Sequence, residues 1–335
     1  MEKRRLGQTD LEVSIVGFGG IPIQGLPFAE AERVLLHALD RGIDFFDSAR
    51  AYTDSEEKMG RALSPHRNRI HLASKALSRT GTKITEELET SLRNLRTDTI
   101  DLYQVHSVGT TEQLDTIMAP GGAYEALAGA REQGKIRWIG ITGHSRPVLL
   151  AAVETGLFDT VQCPFNPIED EWADEVLPEA RKAGIGTIGM KPLAGGAIRN
   201  AAASIRFSLT RGIDVSIPGM DSITQIEENT AAGEKLEPLT AAELEDLRRE
   251  KEIWGDSFCR RCAYCMPCPN GLNIPFLLLI DGYYTRYELK DWALARLGTL
   301  EKTFADCAAC GECIEKCPYH LPVPELMERA AEHLI

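Results

Sequence analysis

At 335 residues the chain exceeds one average domain and leaves room for a large unit and a small one. With 43% hydrophobic and 26% charged residues it has the make-up of a globular protein with a full core, which excludes a disordered or fibrous chain. Its formal net charge of −13 has the wrong sign for a nucleic-acid or anionic-membrane surface, so neither is expected as a partner.

The chain opens on MEKRRLGQTDLEVS, whose basic residues are followed by no apolar stretch. No signal peptide is read there, and a cytoplasmic location is expected. Alternation then sets in. Short β-branched or apolar runs at 14–19, 45–49, 70–75, 100–106, 136–142, 160–166, 186–191 and 215–218 each precede a helical pattern, as at 29–40, 84–95, 123–133 and 174–183. Eight strand–helix units within residues 1–232 fit a closed (β/α)8 TIM barrel, an α/β fold. An open doubly wound sheet is the competing reading, but the early G-x-G-x-x-G is missing. Residues 233–257 read as a barrel-covering helix and connector. Thr240 and Glu243 have capping-box spacing ahead of ELEDLRREKEIW, and Gly255 can end that helix. From Cys259 the composition shifts to Cys, Pro and Gly, marking a small, mainly helical domain over 258–335 with a helical pattern at 283–297. The apolar run 274–280 is too short to span a bilayer.

In a barrel of this kind, chemistry gathers at the C-terminal ends of the strands. Asp47 stands near the end of the second strand, Tyr52 in the loop behind it, Lys75 at the end of the third strand and His106 at the end of the fourth. Each has an ordinary structural reading: a helix cap, a packed loop aromatic, a solvated strand end, a satisfied core histidine. Their joint occurrence on one rim favours function. A buried lysine beside an aspartate, both facing a phenol, is a way to lower the phenol pKa.

Eight of the nine cysteines form two runs. The first is Cys259-x2-Cys262-x2-Cys265-x2-Cys268-Pro269 and the second Cys307-x2-Cys310-x2-Cys313-x3-Cys317-Pro318. The second has the bacterial ferredoxin spacing in full. Structural zinc also uses C-x2-C pairs, but as two pairs split by a longer loop. Runs of four ending in Cys-Pro favour two [4Fe–4S] clusters. Cys163, alone in a strand, reads as a small core residue.

The stretches RRLGQTDLEVSIVGFGG, GIDFFDSARAY with SEEKMGRAL, HLASK, SLRNLRTDTIDLYQVH, GKIRWIGIT, VQCPFN and IPGMDSITQIEEN together resemble the aldo/keto reductase family. The resemblance implies that Asp47, Tyr52, Lys75 and His106 are the catalytic tetrad. Tyr52 would protonate the carbonyl oxygen, Lys75 with Asp47 would make it a better acid, and His106 would orient the substrate carbonyl. On the cofactor side the resemblance places Gln162 at the nicotinamide carboxamide and Lys191, Pro192, Leu193, Gly195 and Gly196 over the pyrophosphate. Glu228 and Asn229 fall at the adenine, and Asn166 is a weaker candidate in the sixth strand. Met190 takes the place of the family's stacking aromatic, and Thr142-Gly143 followed by His144 replaces the usual Ser-Asn. Gly219 and Gln225 stand where basic residues commonly meet the 2′-phosphate of NADPH, which tips the cofactor toward NADH.

The C-terminal region resembles the ferredoxin-like 2[4Fe–4S] module of one branch of that family. This implies crossed ligation: Cys259, Cys262 and Cys265 with Cys317, and Cys307, Cys310 and Cys313 with Cys268. The module is also expected to stand where the family's tail usually lines the substrate site. Trp172 and Trp254 are candidate pocket aromatics, with ordinary packing as the alternative. The function expected is an NAD(P)H-dependent oxidoreductase acting on a small-molecule aldehyde or ketone. The alternative is a redox-linked NAD(P)H-binding or electron-transfer protein with little carbonyl reductase activity, its clusters serving a redox protein partner.

Overall fold

Parallel strands that are apolar on both faces need cover on both, and a barrel provides it by closing the sheet on itself inside a ring of helices. The computed structural model describes residues 1–255 and 257–334. An antiparallel hairpin, β1 (Lys3–Arg5) and β2 (Glu12–Ser14), comes first. Eight parallel strands follow: β3 (Phe18–Gly19), β4 (Phe45–Asp47), β5 (His71–Ala76), β6 (Ile100–Val108), β7 (Ile136–Gly143), β8 (Thr160–Pro164), β9 (Gly186–Met190) and β10 (Val215–Ile217). They pair in sequence order, and bridges from Val16 to Ser216 and Gly19 to Gly219 join the last strand to the first. The expected barrel therefore forms.

The hairpin is a feature that the sequence pattern does not announce. The pattern puts Ser14 in the first barrel strand, yet it ends β2 instead, held by its N–H to the Asp44 carboxylate at 2.7 Å. Leu6, Leu11 and Val13 are fully buried against Phe45, Leu102 and Val215, plugging the barrel interior from its N-terminal end. The turn needs Gly7: its φ is +57°, and a Cβ there would stand 2.3 Å from the Gly186 nitrogen.

Helices Phe28–Asp40, Gly81–Leu95, Ala123–Glu132 and Val176–Lys182 lie within a few residues of their patterns and bury their apolar faces in the main core. The capping box is present, with Thr240 N–H to Glu243 Oε2 at 2.9 Å and Glu243 N–H to Thr240 Oγ1 at 3.3 Å, and the helix Ala241–Gly255 follows. Among the described residues, no helix is long and apolar enough to cross a membrane.

Beyond it, helices Ile274–Thr285, Lys290–Leu297 and Val323–Leu334 surround a second apolar core that includes Leu277, Ile280, Phe304, Met327, Cys313 and Cys317. The single helical stretch expected at 283–297 is broken. Glu288 adopts a φ of +54°, and the Leu289 N–H turns back to the Tyr283 carbonyl at 3.0 Å. Burying the Leu289 side chain wins over helical continuity, and the break brings Tyr287 onto Gly195 of the barrel.

Candidate active site

β4 and β5 are neighbours, so Asp47 and Lys75 reach the same rim. Lys75 is fully enclosed, and its Nζ pairs with Asp47 Oδ2 and donates to the Ser48 carbonyl at 2.7 Å. Gln104 of β6 donates to Asp47 Oδ1 at 3.3 Å and to Gln162 Oε1 of β8 at 2.9 Å, linking four strands in one buried network. Tyr52 stands over this network. Its ring centroid is 5.0 Å from Lys75 Nζ and 5.9 Å from the His106 ring, which meets it edge-on. The structure thus brings together all four tetrad residues.

The loop carrying Tyr52 is fixed by a group that sequence reasoning did not single out. Glu56 is 1% exposed, pairs with Arg50, and accepts from Ser74 at 2.6 Å, Ser91 at 2.7 Å and Asn94 at 3.2 Å. It sits inside SEEKMGRAL, where a glutamate at helical spacing gives no sign of being buried. Asn166 plays a structural part, closing a turn by accepting from the Ile168 and Glu169 N–H groups and donating to the Lys191 carbonyl at 3.0 Å.

The electrostatics correct one expectation, that Lys75 lowers the Tyr52 pKa. Burial instead raises it well above the usual phenol range, and the Asp47 charge and the Tyr283 and Tyr287 hydroxyls push the same way, against Arg296. Lys75 is already committed to Asp47, whose attraction opposes the burial that lowers the Lys75 pKa. Burial likewise raises the Asp47 carboxyl against the Lys75 ammonium. His106 is held well below the usual imidazole range by burial and by Lys75, Arg79 and Arg296, so it is neutral, and its Nδ1 is buried without a partner.

The roof over Tyr52 comes from the C-terminal module. Arg296 Nη2 donates to the Ala51 carbonyl at 2.9 Å, and Tyr283, Tyr287 and Arg296 all act on the Tyr52 hydroxyl. Arg260 ties the module down elsewhere, donating to the Ile168 carbonyl at 3.0 Å. None of these contacts was legible in the sequence.

A cleft of about 450 Å3 runs along the rim. Lys191, Pro192, Leu193, Gly195, Gly196, Glu228 and Asn229 line it, as do Gly219, Asp221 and Gln225. Gly195 and Gly196 have φ of +66° and +85°, and the buried Asn229 Nδ2 has no partner, so a polar ligand fits. Gln162 and Met190 lie apart, Gln162 inside the barrel network and Met190 against the barrel core. The module adds Arg286, Tyr287 and Glu288 to the cleft wall. Trp172 is packed in the main core, whereas Trp254 lines a second cavity beside the module.

The thiols of the two runs lie close together, and Cys265 has both Cys317 and Cys313 as neighbours. Cys259 has Cys265, Cys262 and Cys317 as neighbours, which with burial push its pKa up to about 12. Cys313 has Cys307, Cys310 and Cys268. All-thiol sets of four suit the wider iron–sulfur cube. Cys163 is fully buried in β8.

The family described as "Aldo/keto reductase family" matches residues 15–205, and "4Fe-4S dicluster domain" matches residues 258–322. Curated relatives include L-galactose dehydrogenase of Arabidopsis thaliana, 29% identical over 71% of this chain and 90% of that one. Aldo-keto reductase YhdN of Bacillus subtilis is 31% identical over 56% of this chain and 61% of that one. Among solved structures, the holo form of aldo-keto reductase AKR11C1 from Bacillus halodurans matches with a TM-score of 0.65 and 26% identity, covering 75% of this chain and 96% of that one.

Proposed function

The chain belongs to the aldo/keto reductase family, and from that premise we propose that it reduces the carbonyl of an aldehyde or ketone at the expense of NADH or NADPH. The observation that carries this reading is the convergence of Asp47, Lys75, Tyr52 and His106 at one mouth beside a cleft with an unpartnered Asn229 amide. When bound, the nicotinamide supplies hydride. Tyr52 keeps its proton at ordinary pH and gives it to the carbonyl oxygen as negative charge builds there. Lys75 stands 5.0 Å from the Tyr52 ring centroid and is fixed there by Asp47, while Arg296 is the cation that favours the phenolate left behind. Neutral His106 donates an N–H to the same oxygen and sets its direction.

Lys191, Gly195, Gly196 and Asn229 would hold the dinucleotide. The absence of a cation at Gly219, Asp221 and Gln225 supports NADH over NADPH. Comparing kcat/KM for the two checks it, and a large NADPH preference refutes it. Cys259, Cys262, Cys265 and Cys317 would hold one [4Fe–4S] cluster, and Cys307, Cys310, Cys313 and Cys268 the other. The contacts of Arg296 and Arg260 support a structural role for the module as the roof of the site. The test is aldehyde-dependent loss of NADH absorbance in wild type and Tyr52→Phe. Equal rates in the two sink the assigned acid.

A further inference from the structure

We propose that the module's roof is a carboxylate receptor and that the substrate is an oxo acid, an aldehyde or ketone bearing a carboxylate. This rests on the carbonyl-reductase reading above. The chain is acidic overall, at −13, yet the module brings Arg261, Arg286 and Arg296 to the barrel mouth. Among the described residues none of the three forms a salt bridge, and each keeps buried donors unpartnered: Arg261 Nε and Nη2, Arg286 Nε and Arg296 Nε. Buried guanidinium N–H groups without acceptors are unfavourable unless an anion completes them.

Position narrows the role. Arg296 is anchored beside the catalytic tyrosine by the Ala51 carbonyl, with its guanidinium carbon 4.2 Å from the Trp292 ring centroid. One face is stacked and Nη2 is spent on Ala51, and Nε is a buried donor left without a partner. Arg261 lies among barrel residues, near His144 and the buried Glu169, with which it forms no salt bridge. Arg261 and Arg286 line a cavity of about 560 Å3 between Lys191 to Gly195 and the module. Arg286 also borders the nucleotide cleft, leaving Arg261 and Arg296 as the pair for the substrate. A planar, charged fork beside an oxyanion-forming centre suits a carboxylate a few bonds from the carbonyl.

The test compares 4-carboxybenzaldehyde with its neutral methyl ester, using the full-length, cluster-loaded protein. Wild type is expected to favour the acid in kcat/KM by at least about tenfold, mainly through KM. Arg296→Met and Arg261→Met bring the ratio toward one, Arg296→Lys restores part of it, and Arg248→Met on the exposed helix Ala241–Gly255 leaves it unchanged. Calorimetry with benzoate supplies a readout independent of turnover: wild type binds, and Arg296→Met binds at least about tenfold more weakly. An ester reduced as well as the acid overturns the receptor while leaving the reductase standing. If neither aldehyde is reduced but benzoate binds, the reductase reading falls and the receptor stands. Inorganic phosphate binding more tightly than benzoate overturns the carboxylate assignment.

Discussion

Arg296 donates to the carbonyl oxygen of Ala51 across 245 positions of sequence, so the residue before Tyr52 is tied to the second domain. The loop that carries Tyr52 therefore has two supports: the Glu56 network from the barrel side and Arg296 from the module side. The assigned roles lead to measurable outcomes.

Tyr52→Phe removes the proton donor and keeps the ring that packs on His106. Carbonyl reduction is expected to fall by about 10²–10⁴-fold, the usual scale for a positioned general acid. NADH binding, followed by fluorescence, should be little changed. A drop in binding equal to the drop in rate would make Tyr52 a cofactor contact instead.

Lys75→Met leaves the Asp47 carboxylate buried without its ammonium. Stability measured by chemical denaturation should fall by about 3–5 kcal/mol. The loss should shrink on acidification, because burial already raises the Asp47 pKa and removing Lys75 takes away the opposing attraction. A group with a raised folded pKa keeps its stability below the unfolded pKa and loses it as pH rises. Combining Lys75→Met with Asp47→Leu should cost less than the sum of the single changes.

His106 and His144 are both held well below the usual range, first by burial and then by neighbouring cations. The unfolded chain takes up protons on both near pH 6.5, while the folded one does not. Stability should decline as pH falls through that point, by about 1.4 kcal/mol per pH unit for each histidine, and level off only below the folded pKa. Near-UV circular dichroism of thermal unfolding between about pH 7 and pH 5 measures it, and His144→Gln should remove about half the slope.

Cys317→Ser should damage the cluster of Cys259, Cys262 and Cys265, and Cys268→Ser the cluster of Cys307, Cys310 and Cys313. Each variant should keep roughly half the iron. Pairing Cys317→Ser with Cys262→Ser should lose little more than either alone, whereas pairing it with Cys310→Ser should remove most of the remainder. The reverse pattern would mean each run closes its own cluster.

The barrel was legible because every strand run was short, apolar and followed by helical periodicity, a pattern that only a sheet covered on both faces satisfies. The hairpin was not, since β1 and β2 are three residues each and KRR carries no strand signal. Asp47, Lys75 and His106 were visible as polar residues at strand ends, and the cysteines as a spacing. Glu56, Arg261, Arg286 and Arg296 had no such signal, for a glutamate or arginine on a helical pattern, or an arginine between two cysteines, looks solvated until its neighbours are known.

By itself the sequence determined the two folding units, the eight thiols and the residues delivered to the barrel rim, because strand period, rim position and cysteine spacing are local properties of the chain. Only the tertiary structure decided which residues of the second unit meet the Tyr52 loop, that Lys75 is spent on Asp47 with the Tyr52 proton held firmly, and that Arg261, Arg286 and Arg296 keep donors unpartnered among the described residues. Those outcomes depend on burial and on charges brought together from distant positions, and desolvation is a property of the folded surroundings that no single segment carries.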